Sequence, residues 1–527
     1  MEKTTLLKNA NIYPDCIRGE AHPYLVISGT KIIDVGDHSS IDQWEALADE
    51  IYDLGGCTVL PGMTDAHIHL EKYALALKQV DCETSTVEEC LERLSEEAKD
   101  APHGAWIRGH GWDQNRWGRY GTLEEIDAAA PHNPVYLTAK SLHAAWVNSL
   151  AIHKCEFQSP AEQIKGGHIG TYPDGRPNGL LFEEAMGLIS EKIPRPTSGQ
   201  ILSLIDEAQH KLLRYGITSV HDFDGQRCFS ALQELHRTGD LFVRVLKNIQ
   251  KEHFDAAQSL GLQSGFGDDW LRIGHLKLFA DGALGPQTAA MIDPYESQPD
   301  NFGILLLGQN EIETIGRRAL AAGLPLTVHA IGDRACRAVI RAFVELKRQE
   351  PAPPLPPRIE HLQVIHPADL EELTGANITI SMQPLHAPSD HPTADRYWGE
   401  RSRWSYAWNA VVQTGSLLIF GSDAPVESPD PLLGLYAAVT RKLKSEDPDG
   451  PLWIPEECID LQSALQAYTV NPPAAVGLAD RLGRLQIGFL ADLILLDRDP
   501  FDIELEDLPD LKVLGAMTGG EWRFLEI

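Results

Sequence analysis

Positive charge is scarce in this sequence: 45 Lys and Arg stand against 76 Asp and Glu, a formal net charge of −31. Such a surface repels phosphate backbones and anionic headgroups, so neither a nucleic acid nor a membrane is an expected partner. Long apolar runs are also missing. No stretch is long enough to span a bilayer, and "MEKTTLLKNANIYPD" lacks the continuous apolar core of a signal peptide, which points to a cytoplasmic location. The eight cysteines, Cys16, Cys57, Cys82, Cys90, Cys155, Cys228, Cys336 and Cys458, contain no C-x-x-C pair. They read as reduced thiols, not as a disulfide framework or a sulfur metal site. No G-x-G-x-x-G opens a first strand-helix turn, which disfavours a doubly wound sheet.

What is present is a chain of two textures. The first sixty or so residues ("TLLKNANIY", "YLVISGTKIIDVG", "EIYDLGG") and the tail ("GRLQIGFLADLILLDRD", "LKVLGAMTGGEWRFLEI") read as short strands broken at Gly and Asp. Neither end has enough strands to bury a core alone. The two ends are therefore expected to build one small composite β-sandwich from residues 1–58 and 469–527. Between them, β-branched runs alternate with amphipathic helical patterns. The runs are "TVLPGMTDAH", "GITSVHD", "FVRVLKNI", "RIGHLKLFADG", "LPLTVHAIGD", "PRIEHLQ", "NITISMQP" and "LLIFGSDAPV". Eight such repeats imply a (β/α)8 TIM-like barrel over residues 59–468. The first crossover is too long for one helix, so residues of about 75–210 form an insertion after strand one, expected over the barrel mouth. "PAPPLPP" (351–357) is a stiff lead-in to strand six.

Active sites of such barrels gather at the C-terminal ends of strands. There the sequence offers His67 and His69 on strand one, Lys277 on strand four, His329 on five, His361 on six and Asp423 on eight. One His-x-His pair is about what chance supplies, so His67 and His69 alone decide nothing. Six candidate ligands at one rim do carry weight, because imidazole and carboxylate suit zinc-like divalent ions. Asp65 shares the face of His67 and reads either as an orienter of an imidazole or as a packing carboxylate. Glu360 should point away from His361 if strand six is regular. In the insertion, Trp106, Trp112, Trp117 and Trp146 with His110 and His143 read either as a pocket wall or as that segment's own core. Trp112, His143, Gln383 and His386 are the candidate substrate contacts.

The segments P-G-x-x-D-x-H-x-H (61–69), "KLFADGALG", "VHAIGD", "RIEHLQ", "SMQP" and "FGSDAPV" together resemble the amidohydrolase superfamily. More narrowly they are similar to the amidohydrolase family 3 group that includes N-substituted formamide deformylases. "HAAWVNS", "PDGRPNGLL" and "GRLQIGFLADLILLD" extend the resemblance nearly end to end. Pro286 and Gln287 depart from it, standing where many relatives carry Ser-Arg. The resemblance implies one metal on His67, His69, Lys277 and Asp423 and a second on Lys277, His329 and His361. It implies two zinc ions bridged by an N6-carboxylated Lys277. An ammonium has no lone pair to give, whereas a carbamate offers two anionic oxygens. A cationic Lys277 with a single metal is the alternative. The implied activity is hydrolysis of a non-peptide carbon–nitrogen bond of a small-molecule amide through a metal-bound hydroxide, with Asp423 moving the proton. A mononuclear deaminase of a heterocyclic amine is the alternative function, and homodimer formation is compatible with the sequence.

Overall fold

Gly62 divides the first apolar run into two strands that belong to different sheets. Thr58–Pro61 pairs with Leu493–Leu496 and Thr4–Ile12, while Met63–Ile68 pairs with Ile217–Asp222. A Cβ at Gly62 would sit 2.1 Å from Thr218 Oγ1, so only glycine lets the chain pass between the sheets. The barrel thus starts at Met63, a few residues beyond the expected boundary at 59. The computed structural model describes residues 3–140, 144–155, 167–349, 354–447 and 449–527. Residues 351–353 of "PAPPLPP" therefore lie outside the described residues.

The terminal sheet has eight strands, five from the N-terminal segment and Leu493–Leu496, Val513–Thr518 and Glu521–Leu525 from the C-terminal one. Leu7, Leu25 and Val59 meet Leu493, Leu495 and Met517 in one buried cluster, so the two ends of the chain share a core. The C-terminal strands begin at Leu493 and not near 469. The helix Asn471–Ala475 before them contributes Ala475 to a cluster with the barrel residues Ala66, Leu246 and Ile419.

The central sheet is parallel throughout. Its strands are β1 (Met63–Ile68), β2 (Ile217–Asp222), β3 (Arg244–Gln250), β4 (Leu271–Phe279), β5 (Leu326–Ala330), β6 (Arg358–His361), β7 (Thr379–Met382) and β8 (Leu417–Phe420). Each strand pairs with the next in sequence order. The ring closes just past the end of β8, where Asp423 N donates to His67 O (2.7 Å) and His69 N donates to Ala424 O (3.0 Å). This seam is tight: a Cβ on Gly421 would lie 2.3 Å from His67 N. Helices follow the strands. In Asp333–Gln349, Cys336, Val339, Ile340 and Phe343 recur at helical spacing and are buried. Burying one such large apolar side chain stabilises the barrel by about 1.5–3 kcal/mol.

Residues 74–200 form a separate compact unit, close to the expected insertion. Its six-stranded sheet runs Gly167–Thr171, Pro177–Glu183, Ala144–Val147, Val135–Ala139, Ile107–Trp112, Val80–Asp81. Trp112 and Trp146 are buried with Cys90, Leu94, Ile126 and Leu137. Trp112 Nε1 donates to Leu137 O (2.9 Å) and Trp146 Nε1 to Thr122 O (3.2 Å), which satisfies both indoles within the unit. The expectation that Trp112 touches substrate is therefore corrected: it is core of the insertion. No helix among the described residues is long and apolar enough to cross a membrane.

Candidate metal centre

The end of β1 is held before any ligand is placed. Asp65 accepts hydrogen bonds from Ser422 Oγ (2.5 Å), Ser422 N (3.0 Å) and His67 N (3.1 Å), clasping β1 to the end of β8. Burial pushes its carboxyl up to about 7, against the pull of the Ser422 bonds. Asp65 thus serves backbone and a hydroxyl; it does not orient an imidazole.

That task falls to Glu360. His67 Nδ1 lies 2.7 Å from Glu360 Oε2, and the second carboxylate oxygen accepts from Thr327 Oγ1 (2.5 Å) and Arg358 Nε (2.9 Å). Arg358 is itself spanned between His221 Nδ1 (2.8 Å) and Ala66 O (2.9 Å). Burial opposes the charge of Glu360, but Arg358 and His67 outweigh it and hold the carboxyl well below the usual range. A charged carboxylate accepts only, so His67 Nδ1 carries the proton and Nε2 keeps its lone pair. The expectation that Glu360 points away is corrected. Arg358 and Glu360 alternate inward, and His361 then adopts φ 75° and Leu362 φ 45°, which swings the His361 side chain inward as well.

The other candidates show the same division of labour. His361 Nδ1 donates to Gln383 Oε1 (2.9 Å), leaving Nε2. His329 Nε2 donates to Gly282 O (2.9 Å), leaving Nδ1. His69 Nδ1 is 3.1 Å from Asp224, and its Nε2 is 3.5 Å from Asp423 Oδ1. His67 Nε2 is 3.6 Å from the same oxygen. Burial, followed by the charge of Lys277, pushes the His67 and His329 imidazoles down to about 4, so both are neutral. Burial works against the charge of Asp423, but His67, His386, His69 and Lys277 outweigh it and hold the carboxyl below its usual range. One ligand atom each from His67, His361 and Asp423 lies within 4.8 Å of the other two. Neutral imidazoles with outward-bonded nitrogens and a charged carboxylate fit a divalent cation.

Lys277 projects from β4 into the same space, its Nζ 4.6 Å from the centre of the Phe223 ring and 4.9 Å from that of Phe279. Burial pushes its amine down to about 8. Phe223, just past β2, also stacks on His67 with ring centres 4.0 Å apart. Gln383, expected as a substrate contact, is a hydrogen-bond partner of His361 through Oε1. His386 is buried, parallel to His361 at 6.4 Å between ring centres, with Nδ1 3.4 Å from Gln363 Nε2. His143 lies outside the described residues. Sequence reasoning missed Arg358, Phe223 and Asp224. Only "RIEH", with two charges beside a ligand, carried a signal for any of them.

A parallel barrel whose strand ends gather lone pairs from neutral imidazoles and a carboxylate is the frame of a metal-dependent hydrolase. Residues 50–524 match the amidohydrolase family, and the chain belongs to that family. It is accordingly a hydrolase acting on carbon–nitrogen bonds other than peptide bonds. Its structure resembles that of an uncharacterized metal-dependent hydrolase from Pyrococcus furiosus, with a TM-score of 0.77, 31% identity, and 95% of this chain and 100% of that one covered. In sequence it is 29% identical to the putative amidohydrolase YtcJ of Bacillus subtilis over 89% of each chain. It is 27% identical to the N-substituted formamide deformylase of Arthrobacter pascens over 98% of each.

Proposed function

We propose that the chain hydrolyses the carbon–nitrogen bond of a small-molecule amide at two zinc ions held by His67, His69, Lys277, His329, His361 and Asp423. The observation that carries this reading is the meeting of His67, His361 and Asp423, whose ligand atoms lie within 4.8 Å of one another. When bound, such ions lower the pKa of water and polarise a carbonyl. Asp423 then takes the proton of the attacking water and returns it to the leaving nitrogen; its depressed pKa keeps it a carboxylate at rest. Glu360, Gln383 and the Gly282 carbonyl hold His67, His361 and His329 in the tautomers that face the centre. Lys277, with its amine near 8, has a neutral fraction at physiological pH. That amine adds to carbon dioxide, forming a nitrogen–carbon bond and releasing a proton, to give the N6-carboxylated side chain. The deaminase alternative has no use for this lysine, and no feature of the site favours it.

Zinc-loaded protein assayed against N-acyl, N-formyl and cyclic amides tests the reading. Hydrolysis of at least one class, lost on chelation and restored by zinc, is the expected result. Release of ammonia from heterocyclic amines with no amide turnover would overturn it.

A further inference from the structure

Phe279 is the last residue of β4, and its side chain is 49% exposed although the residues before it in the strand, from Ile273 to Leu278, are buried. Alternate residues of a strand share a face, so Phe279 stands on the same side as Lys277, one step nearer the mouth. Its ring centre is 4.9 Å from Lys277 Nζ and 5.2 Å from the His329 ring. An exposed phenylalanine on the outside of a domain needs no account. This one faces the barrel axis, beside two of the proposed ligands.

The strand order explains what it faces. β4 and β8 lie across the ring from each other, so Phe279 is opposite Asp423. The β6–β8 side of the mouth is polar, with His361, Gln383, His386 and Asp423, whereas the exposed residue at the end of β4 is Phe279, near the buried Phe223 that also faces Lys277 Nζ. Leu306 extends the apolar side: its N–H donates to Ala280 O (2.7 Å), the carbonyl next to Phe279, and its side chain is 53% exposed. A substrate attacked from the Asp423 side must place one flanking group against this wall.

We infer that Phe279, with Leu306, forms the apolar wall of the substrate site and selects amides that carry an alkyl or aryl group beside the scissile bond. The inference rests on the hydrolase reading above for the position of the substrate. Aromatic contacts and hydrophobic pockets discriminate by roughly tenfold to a hundredfold, which sets the size of the effect to look for.

Hydroxamates bind loaded metal centres without turnover, so they separate recognition from chemistry. Calorimetry on zinc-loaded protein compares acetohydroxamate, phenylacetohydroxamate and a carboxylate-bearing hydroxamate. Wild type should prefer the phenyl compound over acetohydroxamate by about tenfold to a hundredfold. Phe279→Ala should lose most of that preference while acetohydroxamate binding, zinc content and melting temperature stay close to wild type. Phe279→Leu, which keeps an apolar side chain, should fall between the two. An unchanged ratio in Phe279→Ala, a wild type preferring the charged compound, or no hydroxamate binding at all would each overturn the inference. A ratio that follows Phe279 in a protein that turns over no amide would keep the wall and remove the hydrolase reading.

Discussion

Two groups of side chains at the mouth of this barrel have the composition of a metal site, and they differ in what their lone pairs already do. His67, His361 and Asp423 form one; Asp222, Asp224 and Cys228 form the other. In the second group the acceptors are committed. Asp222 receives Lys247 Nζ (2.5 Å) and Leu70 N (3.0 Å), and Asp224 receives Glu71 N (2.6 Å) and Lys72 N (3.1 Å). Burial opposes the ammonium of Lys247, but Asp222 outweighs it and holds the group above its usual range. Burial, then Asp222, keeps the Cys228 thiol protonated. A cation is thus built into the chain. In the first group the protein bonds run outward, from His67 to Glu360 and from His361 to Gln383, and the inward atoms are left to converge. Proximity of ligand-type residues is therefore insufficient to define a metal site; the direction in which their hydrogen bonds are spent decides.

The largest effect that sharpens this contrast should come from Asp423→Asn. The change is nearly isosteric, but an amide cannot accept the proton of the attacking water. General acid–base groups contribute about 10²–10⁴-fold, so kcat should fall by at least that range while the fold persists. Zinc content, melting temperature and kcat measured on one preparation check it. A folded, fully loaded variant with near-normal kcat would show that Asp423 only caps its turn.

Lys247→Met probes the other group. It removes the buried ion-pair partner of Asp222, and breaking such a pair costs about 3–5 kcal/mol. Denaturant unfolding should report that loss. Added zinc offers a sharper readout, since a vacated acidic pocket should now bind metal and recover part of the stability. A stability equal to wild type would mean that Lys247 is not the balancing charge.

The smallest of the three effects concerns Glu360→Gln. The glutamine oxygen can still accept from His67 Nδ1, but the negative charge paired with Arg358 is gone. Partners of this kind typically contribute 10- to 100-fold in metal affinity, so zinc should bind that much more weakly in competition with a chelator. A cobalt-substituted sample should show an altered visible spectrum. Unchanged affinity with reduced melting temperature would assign Glu360 a purely structural role.

How far the sequence reached follows the same logic. All eight barrel strands were legible, because buried parallel strands are short β-branched runs with polar residues at or close to their C-terminal ends. His67, His361 and Asp423, whose ligand atoms the structure brings within 4.8 Å of one another, were legible as polar residues at those ends. The split at Gly62 was not, since it depends on the approach of Thr218 from β2. Glu360 was misread because alternation assumes a regular strand, and His361 and Leu362 both have positive φ. The balance of Asp222 by Lys247 joins β2 to β3, a pairing that no local pattern announces. Trp112 left both readings open, and only the Leu137 carbonyl that meets its indole N–H decided for core.

The most direct test is anomalous scattering from crystals of protein purified without chelators and supplied with zinc. The account predicts anomalous peaks at the C-terminal ends of the strands, in contact with His67, His361 and Asp423, and none among Asp222, Asp224 and Cys228. Strong density at the second group, or none at the first under zinc-replete conditions, would contradict it.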